Sequence, residues 1–176
     1  MEPFETDRLI VRQFTPVDGD DFFLFNSSEP TMRYIRPLKN REESDAFLVE
    51  NFNLYLDGFP YGRMHVSEKV TGKFVGTFSI LYLDGDADYH IGYALIHDSW
   101  GKGYASELVK YGSKLFFERT MHNALFAITH PENLASAKVL LKNKFIPFGE
   151  FFFNAEPLNR FKLPRTDFKR THSQIL

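Results

Sequence analysis

Apolar residues recur at helical intervals in some stretches of the chain and at alternate or consecutive positions in others, and the two rhythms divide it into elements. Residues 8–14 (RLIVRQF) predict a strand. Thr15 and Pro16 follow as an N-cap and a first-turn proline, with Asp18, Asp20 and Asp21 where a helix dipole favours anions. Phe22 to Phe25 supply that helix's apolar face, and 27–37, broken by Pro30 and Pro37, predicts a loop. Phe47, Leu48, Phe52, Tyr55 and Leu56 mark a helix over 42–57, closed by Gly58 and Pro60. Residues 63–68, 74–83 and 89–96 predict three strands joined by turns at 70–73 and 83–88. Tyr104, Leu108, Tyr111 and Leu115 form one stripe of a helix over 104–117. Residues 124–129 predict a strand, and 133–143 a helix with Ala137, Leu140 and Leu141 inward. Residues 145–153 and 160–163 complete the series. The order β-α-α-β-β-β-α-β-α-β-β predicts an α/β (α+β) fold. Its sheet is mixed, mostly antiparallel and of six to seven strands, with about four helices on its faces. No repeat or linker interrupts the pattern, so residues 1–176 read as one domain.

Composition narrows the chemistry. A formal charge of −2 offers no field for nucleic acid or an anionic membrane. No apolar run reaches the roughly 18 residues of a spanning helix, and the first residues lack a signal-peptide core. There is no cysteine, which excludes disulfides, thiolate metal sites and a Cys nucleophile and suits a cytoplasmic protein. Asp84, Asp86 and Asp88 are spaced like a calcium loop, but Tyr89 and Leu95 stand where its glycine and distal Glu belong. His90 and His97 lack companions for a metal, and no metal is expected.

The sharpest local feature is Trp100-Gly101-Lys102-Gly103-Tyr104-Ala105, between a strand and a helix. Glycines there let backbone amides approach a ligand, and the unpaired amides of a helix start suit phosphate. The loop lacks the Lys-Ser/Thr and upstream glycine of a P-loop. Ser106 replaces the third glycine of a dinucleotide fingerprint.

The stretch HIGYALIHDSWGKGYASELV, residues 90–109, resembles the acyl-CoA-binding core of the GNAT N-acetyltransferases, most closely their RimJ/RimL branch. That branch acetylates ribosomal-protein N-termini, and a Trp-Gly-x-Gly-Tyr-Ala form of the loop is common in it. ETDRLIVRQFTPVD, SSEPTMRYIRP, VTGKFVGTFSI and THPENLASAKVLLKNKF resemble further family segments in the family order, over roughly residues 5 to 165. The resemblance implies the GNAT fold, with two central strands splayed around acetyl-CoA. It implies transfer of acetyl to a primary amine by direct attack. The preferred acceptor is a protein N-terminal α-amine; a polyamine, an amino acid or an antibiotic is the alternative, as is a non-catalytic acyl-CoA-binding module. A homodimer is left open.

By the same resemblance, the amides of Trp100, Gly101, Lys102, Gly103, Tyr104 and Ala105 hold the pyrophosphate, with the Ser106 hydroxyl and the Lys102 charge as additions. Ala94, Leu95 and Ile96 align the pantetheine arm by strand-like pairing, and Gly92 marks a bulge or a close approach. Asn133 holds the cofactor, and Ser136, three residues on, hydrogen-bonds the departing sulfur. The tyrosine acid of many relatives is replaced by Leu140. His90 stands where relatives carry Glu, and an imidazole titrating near 6.5 suits a base; His65 and His130 are weaker candidates. Lys144 replaces the family's glycine before Phe145. Glu150 and Glu156 lie near a strand that carries a catalytic Glu in some relatives, but neither aligns with it.

Overall fold

The computed structural model describes residues 4–57, 62–83 and 88–172. Its strands are β1 (Phe4–Glu5), β2 (Leu9–Gln13), β3 (Gly62–Glu68), β4 (Phe74–Tyr82), β5 (Tyr89–Leu95), β6 (Ala124–Thr129), β7 (Ile146–Phe153) and β8 (Glu156–Pro164). Its helices are α1 (Gly19–Asn26), α2 (Glu29–Met32), α3 (Arg41–Leu54), α4 (Tyr104–Arg119), α5 (Leu134–Lys142) and α6 (Arg165–His172). The eight strands form one sheet in the order β1-β2-β3-β4-β5-β6-β8-β7. This corrects the expected six to seven strands and four helices. β1 is two residues long, too short for a period to show. α2 is a single turn inside the expected loop, with Pro30 in its first turn, where a missing N–H costs nothing. α6 is polar apart from Phe168, which packs on Phe117 with ring centroids 5.0 Å apart.

Sequence alternation sorts β5 between two cores. Ile91 and Leu95 pack with Leu108, Val109 and Phe116 of α4 and Leu140 of α5. Ala94 and the following Ile96 pack on the opposite face against Phe22, Phe25, Met32 and Leu48 of α1, α2 and α3. β5 is paired with β4 along its whole length, from Tyr82↔Tyr89 to Gly76↔Leu95. On its other edge it meets β6 in parallel, and that ladder has one register pair, His90↔Phe126. Beyond His90, the C-terminal half of β5 has no strand partner on that edge among the described residues.

The two ends of α5 follow from local rules. Asn133 is its N-cap, accepting a hydrogen bond from the Ser136 amide at 3.1 Å. Its C-terminus is a Schellman turn: the Lys144 amide donates to Leu141 O and the Phe145 amide to Leu140 O, both at 3.1 Å. Lys144 takes the left-handed conformation at φ 69° that glycine ordinarily supplies there. The substitution that separates this chain from its relatives therefore leaves the turn in place. Buried Leu140 and Phe145 close it with the apolar contact such turns use.

Among the described residues, no helix is long and apolar enough to cross a membrane. The ends of the expected helix over 42–57 (Gly58, Pro60) and of the expected acidic turn (Asp84, Asp86) lie outside the described residues.

Candidate active site

The Gly-x-Gly turn joins β5 to α4. Gly101 and Gly103 sit at φ 73° and 82°, left-handed values that favour glycine. A Cβ at Gly101 would meet nothing within 4 Å, so conformation rather than crowding requires the residue. Gly103 is the N-cap of α4 and gives it no side-chain cap; the backbone bond from Glu107 N to Gly103 O closes the first turn. The amides of Tyr104, Ala105 and Ser106 are left at the helix's positive end.

Contacts absent from the motif hold this turn rigid. Glu107, nearly buried, accepts from Arg8 Nε at 2.8 Å and from the Arg8 amide at 2.8 Å, and also from the Thr6 hydroxyl. Burial would raise its carboxyl, but the bonds from Thr6 and Arg8 win and hold it below the usual range. Arg8 Nη1 also donates to Lys102 O at 2.9 Å. Tyr104 is buried and donates its hydroxyl to Glu68 at 2.6 Å, so only its amide faces the turn's concave side. Lys102 Nζ lies 3.7 Å from the same Glu68 carboxylate. The Ser106 hydroxyl accepts from Asn143 Nδ2 at 3.0 Å and keeps its proton for another acceptor.

Backbone direction along β5 determines which residues face its open edge. The Ile96 amide donates to Val75 O on β4 at 3.0 Å. A Cβ at Gly76 of β4 would stand 2.2 Å from the Ala94 carbonyl oxygen, so that carbonyl points to β4 as well. Strand alternation then turns the backbone of Tyr93 and Leu95 to the open edge. Of the expected trio Ala94, Leu95 and Ile96, Leu95 faces the gap, and Tyr93 takes the second place. Trp100 Nε1 donates to Leu95 O at 2.8 Å, which explains the lone tryptophan as a latch between strand end and turn.

Side chains flank the gap on both faces. On the α5 side, Tyr93 Oη and Ser136 Oγ are 2.9 Å apart. Burial pushes the Tyr93 phenol up to about 12, so it stays protonated at neutral pH. Tyr93 escaped the motif search because its partner lies 43 residues away; its place two residues before Leu95 on one strand face was the available signal. Asn133 spends its oxygen on the Ser136 amide and keeps Nδ2 as a donor. His90 shares the opposite face with Ala94 and stands where β5 and β6 meet.

The other candidates lie elsewhere. His65 is buried, 3.1 Å from Asp21, and burial lowers its pKa. Asp18, Asp21 and His65 cluster within 4.8 Å, but both Asp18 oxygens already accept from Arg12, at 2.7 and 2.8 Å. His130 accepts from the Glu132 amide and stacks on Tyr34 at 5.1 Å. Glu150 and Glu156 are exposed on β7 and β8, away from β5 in the sheet order. A depression of about 620 Å³, lined by Phe126, Phe148 and Arg160 among others, lies beyond His90 at the closed end of the strand pair.

A family profile described as the acetyltransferase (GNAT) domain matches residues 8–146. The chain is 30% identical over 147 residues to the uncharacterized N-acetyltransferase YoaA of Bacillus subtilis, covering 80% of this chain and 81% of that one. Solved structures that share its fold include the following two. RimL, the ribosomal L7/L12 α-N-protein acetyltransferase, in complex with coenzyme A, superposes with TM-score 0.77 at 17% identity, over 95% of this chain and 99% of that one. Spermidine N-acetyltransferase of Vibrio cholerae, with coenzyme A and spermine, gives 0.74 at 16%, over 92% and 98%. The chain belongs to the GNAT acetyltransferase family, N-acetyltransferases whose acetyl donor is acetyl-CoA.

Proposed function

We propose that this protein acetylates the α-amine of a protein N-terminus by direct attack on acetyl-CoA. The observation that carries the reading is the open edge of β5, which ends in an uncapped helix start and has a hydroxyl pair on one face and a histidine on the other. Amides from Trp100 to Ala105 hold the pyrophosphate, with Ser106 Oγ–H as a further donor. Tyr93 offers its main-chain groups and Leu95 its amide to the pantetheine arm, the Leu95 carbonyl being held by Trp100 Nε1, and Asn133 Nδ2 adds a donor beside it. Tyr93 Oη lies 2.9 Å from Ser136 Oγ and 3.2 Å from Ser136 O; when the phenol donates to Oγ, the serine proton is left for the departing sulfur. His90 takes the proton of the attacking amine on the other face. With no cysteine in the chain, a thioester on the protein is not an intermediate.

The N-terminal acceptor is supported by the Trp-Gly-Lys-Gly-Tyr-Ala loop of the RimJ/RimL branch. Release of free thiol from acetyl-CoA, followed against peptides with free N-termini, amino acids, polyamines and aminoglycosides, tests the reading. Turnover on peptides is the expected result. Turnover confined to small amines overturns the acceptor; stabilisation by CoA with no turnover on any amine overturns catalysis.

A further inference from the structure

Two arginines near the α1–α3 face have carboxylate partners: Arg12 with Asp18, and Arg41 with Asp20 and Asp45. Arg36 and Arg63 do not. Neither has a carboxylate within ion-pair distance among the described residues, although both are half-buried. Arg36 donates to the neutral Asn26 Oδ1 at 2.9 Å, and its Nε is buried without a hydrogen-bond partner. Three cations share the Phe47 ring: Arg36 at 4.6 Å from its centroid, Arg63 at 4.9 Å and Lys39 at 5.1 Å. Burial, then the charge of Arg63, lowers the Arg36 pKa to about 10; burial lowers Arg63 as well, against weaker opposing effects of Tyr55 and Glu50. Both remain charged at neutral pH. Half-buried guanidinium groups are ordinarily paired, so among the described residues this cluster lacks a contacting anion, Glu50 acting on Arg63 only at longer range.

The sheet register places the cluster beside the gap. Arg63 is cross-strand from Ser79, and Ser79 from Gly92. Directly opposed residues share a face, and Gly92 lies between His90 and Ala94 on the α1–α3 face. A Cβ at Gly92 would stand 2.6 Å from Ser79 Oγ, so that row is tightly packed. Two strand spacings, about 10 Å, separate the backbones of Arg63 and Gly92. Gly92 is the first residue on this face beyond the β5–β6 contact.

We infer that the acceptor carries a carboxylate, which docks on Arg36 and Arg63 while its amine reaches His90 and Gly92 at the mouth of the gap. The inference rests on the acetyl-transfer reading and narrows its substrate. A polyamine would bring like charge to this surface. The carboxylate belongs either to an acidic residue beside a peptide's N-terminus or to a free amino acid.

Two substrate pairs separate these sources, with kcat/KM read by thiol release. Peptide amides differing only by Asp or Asn at the second residue form one pair; serine and serinamide form the other. The carboxylate member of one pair should be favoured about 10- to 100-fold, mostly through KM, as expected for charge-assisted hydrogen bonds in a half-buried site. The pair that responds names the source. Arg63→Gln should bring that ratio to within about threefold of unity. Product inhibition of the wild-type enzyme needs no variant: the acetylated carboxylate product should inhibit more tightly than its amide by a similar factor. Ratios near one in both pairs, or a preference that survives Arg63→Gln, overturn the inference while leaving acetyl transfer standing. Absence of thiol release with every amine overturns both.

Discussion

Gly103→Asp separates binding of the cofactor's anion from stability of the fold. Gly103 is the N-cap of α4 at φ 82°, ψ 3°. An L-residue in that conformation costs about 1–2 kcal/mol, with Asp at the lower end. Asp caps helices from an extended backbone, which this position lacks, so no capping gain offsets the cost. The new Cβ would stand 3.5 Å from Arg8 Nη2, and an exposed pair with that guanidinium returns about 0–1 kcal/mol. The net loss is near 1 kcal/mol, a fall in Tm of about 2–4 °C for a chain of this size. Binding should suffer far more. The carboxylate would stand at the helix start proposed to receive the diphosphate, and like charges about 4–5 Å apart near a surface repel by about 3–4 kcal/mol. Calorimetric titration with CoA should therefore show a loss of more than about 100-fold. Gly101→Ala is the control: it carries similar strain at φ 73°, no charge, and a methyl that meets nothing within 4 Å. If Gly103→Asp melts within a few degrees of wild type and binds CoA within tenfold, the turn does not hold the diphosphate. If the two variants lose affinity equally, strain rather than charge is responsible and the electrostatic argument fails.

Ser136→Ala and His90→Gln should each lower kcat by at least about tenfold with CoA affinity nearly unchanged. His90→Gln should also abolish the rising limb of the pH–rate profile, and an unaltered limb removes the histidine from the reaction. Lys144→Gly should raise stability by about 1 kcal/mol in a denaturant titration, because the Schellman turn already holds residue 144 at φ 69°. Asp18→Asn should cost about 2 kcal/mol at pH 7 by leaving Arg12 without its partner. Burial alone would raise the Asp18 carboxyl, but bonds from Arg12 and Thr15 hold it far below the usual range. Its contribution is thus present above the unfolded value near 4 and lost as pH falls toward the folded one. Wild-type and variant Tm values should converge in acid, and a constant gap down to pH 2 would contradict the assignment.

The elements that were legible in the sequence are those with a period. The strand over 124–129 stands at its expected bounds as a short apolar run buried on both faces, and α4 begins at Tyr104 because it buries a repeating face. The cofactor turn was legible because positive φ demands glycine at two closely spaced positions. Contacts between distant residues left no local mark. Arg8 and Glu107 are 99 residues apart, Tyr93 and Ser136 43. Each reads alone as an ordinary surface or strand residue, and only the sheet order makes it part of a site. Arg36 and Arg63 were invisible for a further reason. A sequence shows that an arginine is present, but that no carboxylate among the described residues lies within ion-pair distance of it appears only in the fold.

Direct acetyl transfer sets a geometric demand that this sheet meets at one place. The amine must reach the carbonyl while the sulfur keeps a hydrogen-bond donor, and the two groups cannot occupy the same space. Had β5 and β6 paired along their full length, a closed sheet would separate the face of His90 and Arg63 from the face of Ser136 and Tyr93. Because their ladder has the single register pair His90↔Phe126, the proposed site uses the stretch that follows to join the two faces. The same break frees the main chain of Tyr93 and the Leu95 amide to act as a strand edge. On the proposed reading, a single interruption in hydrogen bonding supplies both the cofactor's track and the passage from base to sulfur. A substitution that extended β5–β6 pairing past Gly92 would be expected to abolish binding and chemistry together. Variants at Ser136 or Arg63 remove one side only, and their kinetic signatures should differ accordingly: kcat for the first, acceptor KM for the second.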